Sequence, residues 1–391
     1  MSKRARRRSI PEAGKDNSIW KKGIFKWVQW PQPGQFFDYQ TVFYMAFLLA
    51  FGMVMLYSAS SYTASLRYGN AAHWVLRQLL FAGLGIVGMI LFSLVDYHLW
   101  IKNASIIYAL SILLCIYVLI AGHSSHGQAR WIAIGGFTIQ PSEIAKVAII
   151  LFFSRMFVKL GDRINEPMAG TKIMFGFLAL PVGLVAKSNL STAVIIFGIW
   201  FVMLMVASRN VKDFAAIILM MLVGLALFIT FASYRSDRVK IWQHPERYEK
   251  GYQTLQGLYA IGSGGIFGKG LGEGMQKKFV PEAQNDMIFS LICEELGIFG
   301  AVILIILFIL LLSRLLFIAR HAADMQGSYI AIGAMAQIAI QVFLNIAVVT
   351  NTIPNTGITL PFISYGGSAL IILMCEIGIV LNVSRSINFY A

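Results

Sequence analysis

Carboxylates are scarce in this chain, with 18 Asp and Glu among 391 residues. Few of them stand where they could do chemistry. Asp286 lies where a polar, glycine-dense interval, Gly251 to Gly300, gives way to a long apolar run. A carboxylate at the end of an apolar span can be solvated and held rigidly at once, which suits a general base. Glu282 and Glu273 are the alternatives in the same interval. HExxH, GxSxG and DxD patterns are absent. The glycines from Gly262 to Gly274 are not a phosphate loop. That loop needs GxxxxGK followed by Ser or Thr, whereas Gly268-Lys269 is followed by Gly270 and Ser263 stands at the first glycine. They predict a tight, close-packed turn.

The elements that must position Asp286 are membrane spans. The chain is 58% hydrophobic and 13% charged, against about 25% charged in a soluble domain. Its apolar runs are of spanning length and do not alternate, which selects helices over a barrel. The expected fold is an all-α polytopic membrane protein of about ten transmembrane helices. They fall near 41–58, 75–95, 100–121, 140–158, 170–186, 191–207, 213–233, 286–312, 327–350 and 362–384.

Charge sets the orientation. Lys3, Arg4, Arg6, Arg7 and Arg8 begin a basic tail over 1–38, with no apolar segment beside it to make a signal peptide. The net charge of +14 reads as positive-inside anchoring, not nucleic-acid binding. Both termini are expected to be cytoplasmic, with a membrane domain over 39–391. One long loop breaks the bias: about 234–285, between spans seven and eight, falls outside with eight basic residues against five acidic. That excess suits an anionic ligand at the outer face.

Polar residues also occur inside spans. Gln337, Gln341 and Asn345 share one helix face. Glu143 and Lys146 can pair at i, i+3. In the eighth span Asp286, Ser290, Cys293 and Gly297 line one face, with Glu294 at its edge and Glu295 pointing away. Cys115, Cys293 and Cys375 have no metal or redox spacing.

Four stretches carry a resemblance. Trp131–Lys146 (WIAIGGFTIQPSEIAK), Tyr252–Gly274 (YQTLQGLYAIGSGGIFGKGLGEG), Val280–Gly297 (VPEAQNDMIFSLICEELG) and Leu360–Leu370 (LPFISYGGSAL) resemble, in order, the SEDS family, whose members include FtsW, RodA and SpoVE. The long basic tail and the Ile353–Gly367 wording lean towards the FtsW/SpoVE branch. There are two departures. Gln284-Asn285 precedes Asp286 where His-Thr or a similar pair is common. Asn189 replaces the aspartate of a QPDLGT-type motif, with Lys187 two residues before it.

The resemblance implies a peptidoglycan glycosyltransferase of the bacterial cytoplasmic membrane, polymerising lipid II at the outer face in division or shape maintenance. The family's essential aspartate falls on Asp286. Arg130, Lys187, Arg238, Lys240, Lys277 and Lys278 become candidates to neutralise the leaving diphosphate, and Glu143 with Lys146 a candidate substrate contact. A divalent cation, Mg2+ or Mn2+, could do the same work with Asp286 as its ligand, although no ligand cluster is visible. A class B penicillin-binding protein and other divisome or elongasome membrane proteins are the implied partners. The alternative is a lipid II flippase, for which charged groups deep in several spans and inverted repeats are the expected signs; no repeat is seen. A pure scaffold is a third reading.

Overall fold

The structure is a computed structural model that describes residues 28, 35–125, 128–134, 137–230, 238 and 240–388. Most of the expected basic tail over 1–38 therefore lies outside the described residues, as do Arg235 and Asp237 of the expected loop.

Twelve helices carry the architecture among the described residues: α1 Tyr39–Tyr68, α2 His73–Leu94, α3 Tyr97–Lys102, α4 Ala104–Ala121, α5 Pro141–Leu160, α6 Ala169–Ser188, α7 Leu190–Ala207, α8 Val211–Thr230, α9 Tyr252–Gly264, α10 Ile288–His321, α11 Met325–Val349 and α12 Gly367–Arg385. Each of the ten expected stretches overlaps one of them. Eight (α1, α2, α4, α6, α7, α10, α11 and α12) are long and apolar enough to cross a membrane. The other two stretches fall on α5 and α8. Helix α5 carries Glu143, Lys146, Arg155 and Lys159 within its 20 residues. An addition to the all-helical expectation is a small antiparallel sheet between α4 and α5, in the order β1 (His123–Ser125), β2 (Gln128–Ile134), β3 (Phe137–Ile139).

Helix α11 is the axis of the bundle. It packs on α10, α7, α5 and α12. In its most apolar window 67% is buried, and in that of α12 72%, against 22% in α2 and α4. The central helices therefore carry the polar stripes and the peripheral ones face lipid. Ends are capped where the sequence allows. Asp38 accepts from Thr41 N at 2.9 Å to start α1, Asn189 from Thr192 N at 3.2 Å to start α7, and Asp324 from Gly327 N at 2.7 Å to start α11.

Helix α6 contains a π turn over Met174–Leu178. Pro181 follows, and without an N–H it cannot bond the Phe177 carbonyl one turn back. The Tyr108 hydroxyl on α4 donates to that carbonyl instead. In lipid a freed carbonyl must be satisfied by protein, and α4 supplies the donor.

The described chain enters and leaves at one end. Asp38 N donates to Ser384 Oγ at 3.3 Å, and Gln35 Nε2 to Arg385 O at 3.0 Å. Arg314 on α10 pairs with the buried Asp38 at 2.7 Å. At that same end His98 lies between Asp96 (2.7 Å) and Asp324 (2.9 Å), and Tyr97 Oη donates to Asp324 at 2.9 Å. The start of α10, with Asp286 before it, is at the opposite end.

Candidate active site

Helix α10 sets the site through a break. Gly297 has φ 68° and ψ −167° inside it, so the helix is two pieces and its freed backbone groups need partners. The glycine-rich segment supplies them. Lys269 N and Gly270 N donate to the carbonyls of Glu294 and Glu295, both at 3.0 Å, and Ile298 N and Phe299 N donate to Gly265 O and Ile266 O, both at 3.0 Å. The approach leaves no room for side chains. A Cβ on Gly268 would sit 2.2 Å from Glu295 O, and one on Gly297 would sit 2.3 Å from Ile266 O. The expected tight turn is thus a backbone graft onto a broken span.

Two buried carboxylates lock the graft. Glu294 accepts from Lys269 Nζ at 2.8 Å, Met275 N at 3.0 Å and Gln276 N at 3.1 Å. Glu295 accepts from Ser58 Oγ on α1 at 2.6 Å and Gly272 N at 3.1 Å. This corrects two expectations. Asp286 is not on a helix face, because α10 begins at Ile288. Glu295, expected to point away, is only 1% exposed and holds the loop to α1. The face assignment began the helix before Ile288 and did not include the loop and α1, which close over Glu295.

Asp286 itself is half-buried in the turn ahead of α10. Gln253 Nε2 on α9 donates to its Oδ1 at 3.1 Å and to Pro281 O at 3.3 Å. Asn345 Nδ2 on α11 donates both to Asp286 O at 2.8 Å and to Ile358 O at 2.7 Å. Burial pushes the Asp286 carboxyl up to about 6 from its ordinary value. Glu282 adds to the rise, while the backbone N–H groups and Gln253 pull the other way. A carboxyl poised there is ionised at neutral pH yet basic enough to take a proton.

The segment from Asn355 to Gly366 gathers the other candidates. Arg238 donates to Asn355 O at 3.1 Å, and Ser191 at the start of α7 to Thr356 O at 3.2 Å. Gly357 lies beside Asp286, where a Cβ would come 3.9 Å from Oδ2. Tyr365 N donates to Gln284 O at 2.9 Å, and Gln78 on α2 to Ser364 O at 3.1 Å. A cavity of about 20 Å³ beneath the segment is lined by Glu143, Gln341 and Thr359 to Phe362 among others.

Arg238 is thus brought near Asp286 through Asn355 and Gly357. Lys240 is exposed close by in sequence. Arg130 donates to Ser188 O at 2.9 Å, next to the exposed Lys187 at the end of α6. Arg130 lines a separate pocket there with Gln140, Ser142, Leu184 and Ser188. Glu143 and the fully buried Lys146 pair at 2.8 Å, and across from them Gln337 donates to Glu376 at 2.9 Å. Lys277 is turned inward, donating to Gly272 O with its ammonium 3.6 Å from Glu295. It serves the loop graft. Lys278 is exposed with its ammonium 5.5 Å from the Tyr62 ring centroid. Gln253 and the Asn355–Gly357 segment were not singled out as site residues from the sequence. A neutral amide in a polar loop carries no signal of its own, and the segment drew notice only through the wording of its motif.

The model of the FtsW/RodA/SpoVE family, described as cell cycle protein, matches residues 39–388. The chain belongs to this family. Stage V sporulation protein E of Bacillus subtilis (strain 168) is 39% identical over 345 residues, covering 86% of this chain and 94% of that protein. A probable peptidoglycan glycosyltransferase FtsW of Geobacter sp. (strain M18) is 38% identical over 348 residues, covering 86% and 94%. A solved structure described as "Structural coordination of polymerization and crosslinking by a peptidoglycan synthase complex" aligns with a TM-score of 0.77 at 27% identity, covering 90% of this chain and 99% of that one. As an FtsW/RodA/SpoVE protein with eight apolar helices of spanning length among its described residues, this is a multi-pass protein of the bacterial cytoplasmic membrane. The departure at Asn189 has a plain structural reading in this FtsW/RodA/SpoVE chain: the residue caps α7, and an amide oxygen does that as an aspartate would.

Proposed function

We propose that this protein polymerises lipid II into peptidoglycan glycan strands at the outer face of the cytoplasmic membrane, in division or shape maintenance. The observation that carries the reading is Asp286: a single half-buried carboxylate, tuned to about 6, at the end of the bundle opposite the entry and exit of the described chain. The name of the Geobacter relative, probable peptidoglycan glycosyltransferase FtsW, supports it. In the reaction Asp286 accepts the proton of a GlcNAc 4-hydroxyl as that oxygen attacks C1 of a MurNAc. The C1–O bond to the diphosphate breaks, and its electron pair leaves with undecaprenyl diphosphate. Arg238, Lys240, Arg130, Lys187 and Lys278 are the cations proposed to neutralise the leaving group. Lys277 contributes by holding the loop, and Glu143 with Lys146 by shaping the cavity wall beneath the Asn355–Gly366 segment.

Mg2+ or Mn2+ fits this site only with help from the substrate. Among the described residues no three His, Cys, Asp or Glu side chains converge to hold a metal. With Asp286 as the base, Glu282 would give one carboxylate oxygen and the diphosphate the rest, a common arrangement for Mg2+. The cation would then add charge neutralisation. A class B penicillin-binding protein is the proposed partner. The likeness to a chain of a peptidoglycan synthase complex that couples polymerization to crosslinking supports it.

The test separates polymerisation from transport. In detergent micelles there are no two sides, so a flippase yields no product. Purified protein with its partner and lipid II is expected to give a ladder of glycan strands on a gel. Unchanged lipid II from folded protein would contradict the reading.

A further inference from the structure

Asp286 sits in a loop turn, not on a helix, and general-base catalysis needs a carboxylate held to within a fraction of an ångström. What holds it comes from two helices. Its Oδ1 receives the Gln253 amide from α9 at 3.1 Å. Its main-chain carbonyl receives the Asn345 amide from α11 at 2.8 Å. The same Asn345 nitrogen reaches Ile358 O at 2.7 Å. Asn345 is 0% exposed, on the most central helix of the bundle.

The two bonds do different things. Asn345 ties the Asp286 main chain to the segment carrying Gly357. Gly357 packs close to the carboxylate, since a Cβ there would lie 3.9 Å from Oδ2, an ordinary van der Waals contact. Gln253 holds Oδ1, and the backbone N–H groups of Asp286 and Met287 also favour the ionised carboxylate. We infer that Gln253 and Asn345 are positioning residues for the Asp286 carboxylate, Gln253 holding its Oδ1 and Asn345 holding the main chain that carries it. This rests on the reading of Asp286 as the base. In support, the Gln253 bond favours the ionised carboxylate against the effect of burial.

The test is the pH profile of kcat/KM for lipid II polymerisation by the purified complex. Gln253→Met removes the N–H donor and keeps the length. Its acidic limb is expected to move to higher pH by about half a unit or more, with the rate recovering at high pH. Gln253→Glu places a like charge beside Asp286 and is expected to move the limb further the same way. Asn345→Asp removes the donor to both carbonyls, and kcat is expected to fall about tenfold or more with KM within twofold. Thermal unfolding and size-exclusion profiles in detergent check that each variant is folded, and Gln253 on the short surface helix α9 tolerates exchange better than Asn345. A purely structural role for Gln253 would lower the amount of active protein without moving the limb. A Gln253→Met limb superimposed on the parent's, or an Asn345→Asp variant with parental kcat, would overturn the inference. Asp286→Asn runs beside them. If it is inactive while the Gln253 profiles are unshifted, only the positioning fails; if it is active, the assignment of the base fails.

Discussion

The hydroxyl of Ser58 on α1 lies 2.6 Å and 2.7 Å from the two carboxylate oxygens of Glu295 on α10. This contact crosses 237 residues of chain and fixes the turn just before the Gly297 break to the first helix of the bundle. One residue earlier, Glu294 does the same for the glycine-rich loop through Lys269. The polar residues here form a frame, and Asp286 is what the frame presents.

The frame makes a stability prediction. Glu294→Ala leaves the Lys269 ammonium and two loop N–H groups without their acceptor. Breaking a buried pair from one side costs about 3–5 kcal/mol; Lys269 is one-third exposed and can re-solvate, so the lower part of that range is expected. Thermal unfolding in detergent checks it. An unfolding temperature equal to the parent's would show that the loop does not depend on Glu294.

The π turn in α6 gives a second. Tyr108→Phe deletes the donor to Phe177 O and leaves a carbonyl unsatisfied, at about 1–3 kcal/mol. The variant is expected to unfold at lower temperature with little change in kcat, since Tyr108 is remote from Asp286 in the bundle. An unchanged melting curve would mean that another group satisfies that carbonyl.

The clasp at the opposite end is pH-sensitive. Burial alone would lower the His98 pKa, but the hydrogen bonds to Asp96 and Asp324 and their charges raise it above the ordinary value. Both carboxylates are acceptors, so both ring nitrogens must carry protons to satisfy them. The groups facing His98 are Asp96, Asp324 and Tyr97. With the folded pKa raised, the stabilisation is fully present below the ordinary histidine value and is lost as pH rises through the folded one. The parent is therefore expected to lose stability as pH rises above the ordinary histidine value of 6.5, and His98→Gln to show a flatter profile there. Parallel profiles would remove the clasp from the account.

The sign is the same for Asp286, and the consequence is larger. Its raised pKa means that ionisation is easier in the unfolded chain, so the folded state loses stability as pH rises from about 4 to about 6. Asp286→Asn is expected to be more stable than the parent at pH 7.5 by roughly 1–2 kcal/mol after solvent screening, while losing activity. A destabilised Asn variant would mean that the carboxylate is needed for folding.

Much of this was legible in the chain. Run length located the eight helices of spanning length among the described residues, with α5 and α8 besides, and Asp286 stood out because a carboxylate at the edge of an apolar run has few structural uses. The i, i+3 spacing anticipated the pair of Glu143 and Lys146. Other features were closed to such reading. Helix periodicity says nothing of the glycine-rich loop and α1 closing over Glu295, which misdirected that residue. Lys277 looked like any loop lysine, because burial of an ammonium depends on an acceptor brought to it from α10, far along the chain. Gln253 has no pattern at all, since its role comes from α9 folding back over the turn that holds Asp286.

The most direct measurement is the rate of lipid II consumption by purified Asp286→Asn against the parent, in complex with the partner and at equal folded concentration. Loss of a general base is expected to lower that rate by about 10²–10⁴-fold with unfolding no earlier than the parent's. A folded Asn variant polymerising at a rate equal to the parent's would contradict the account.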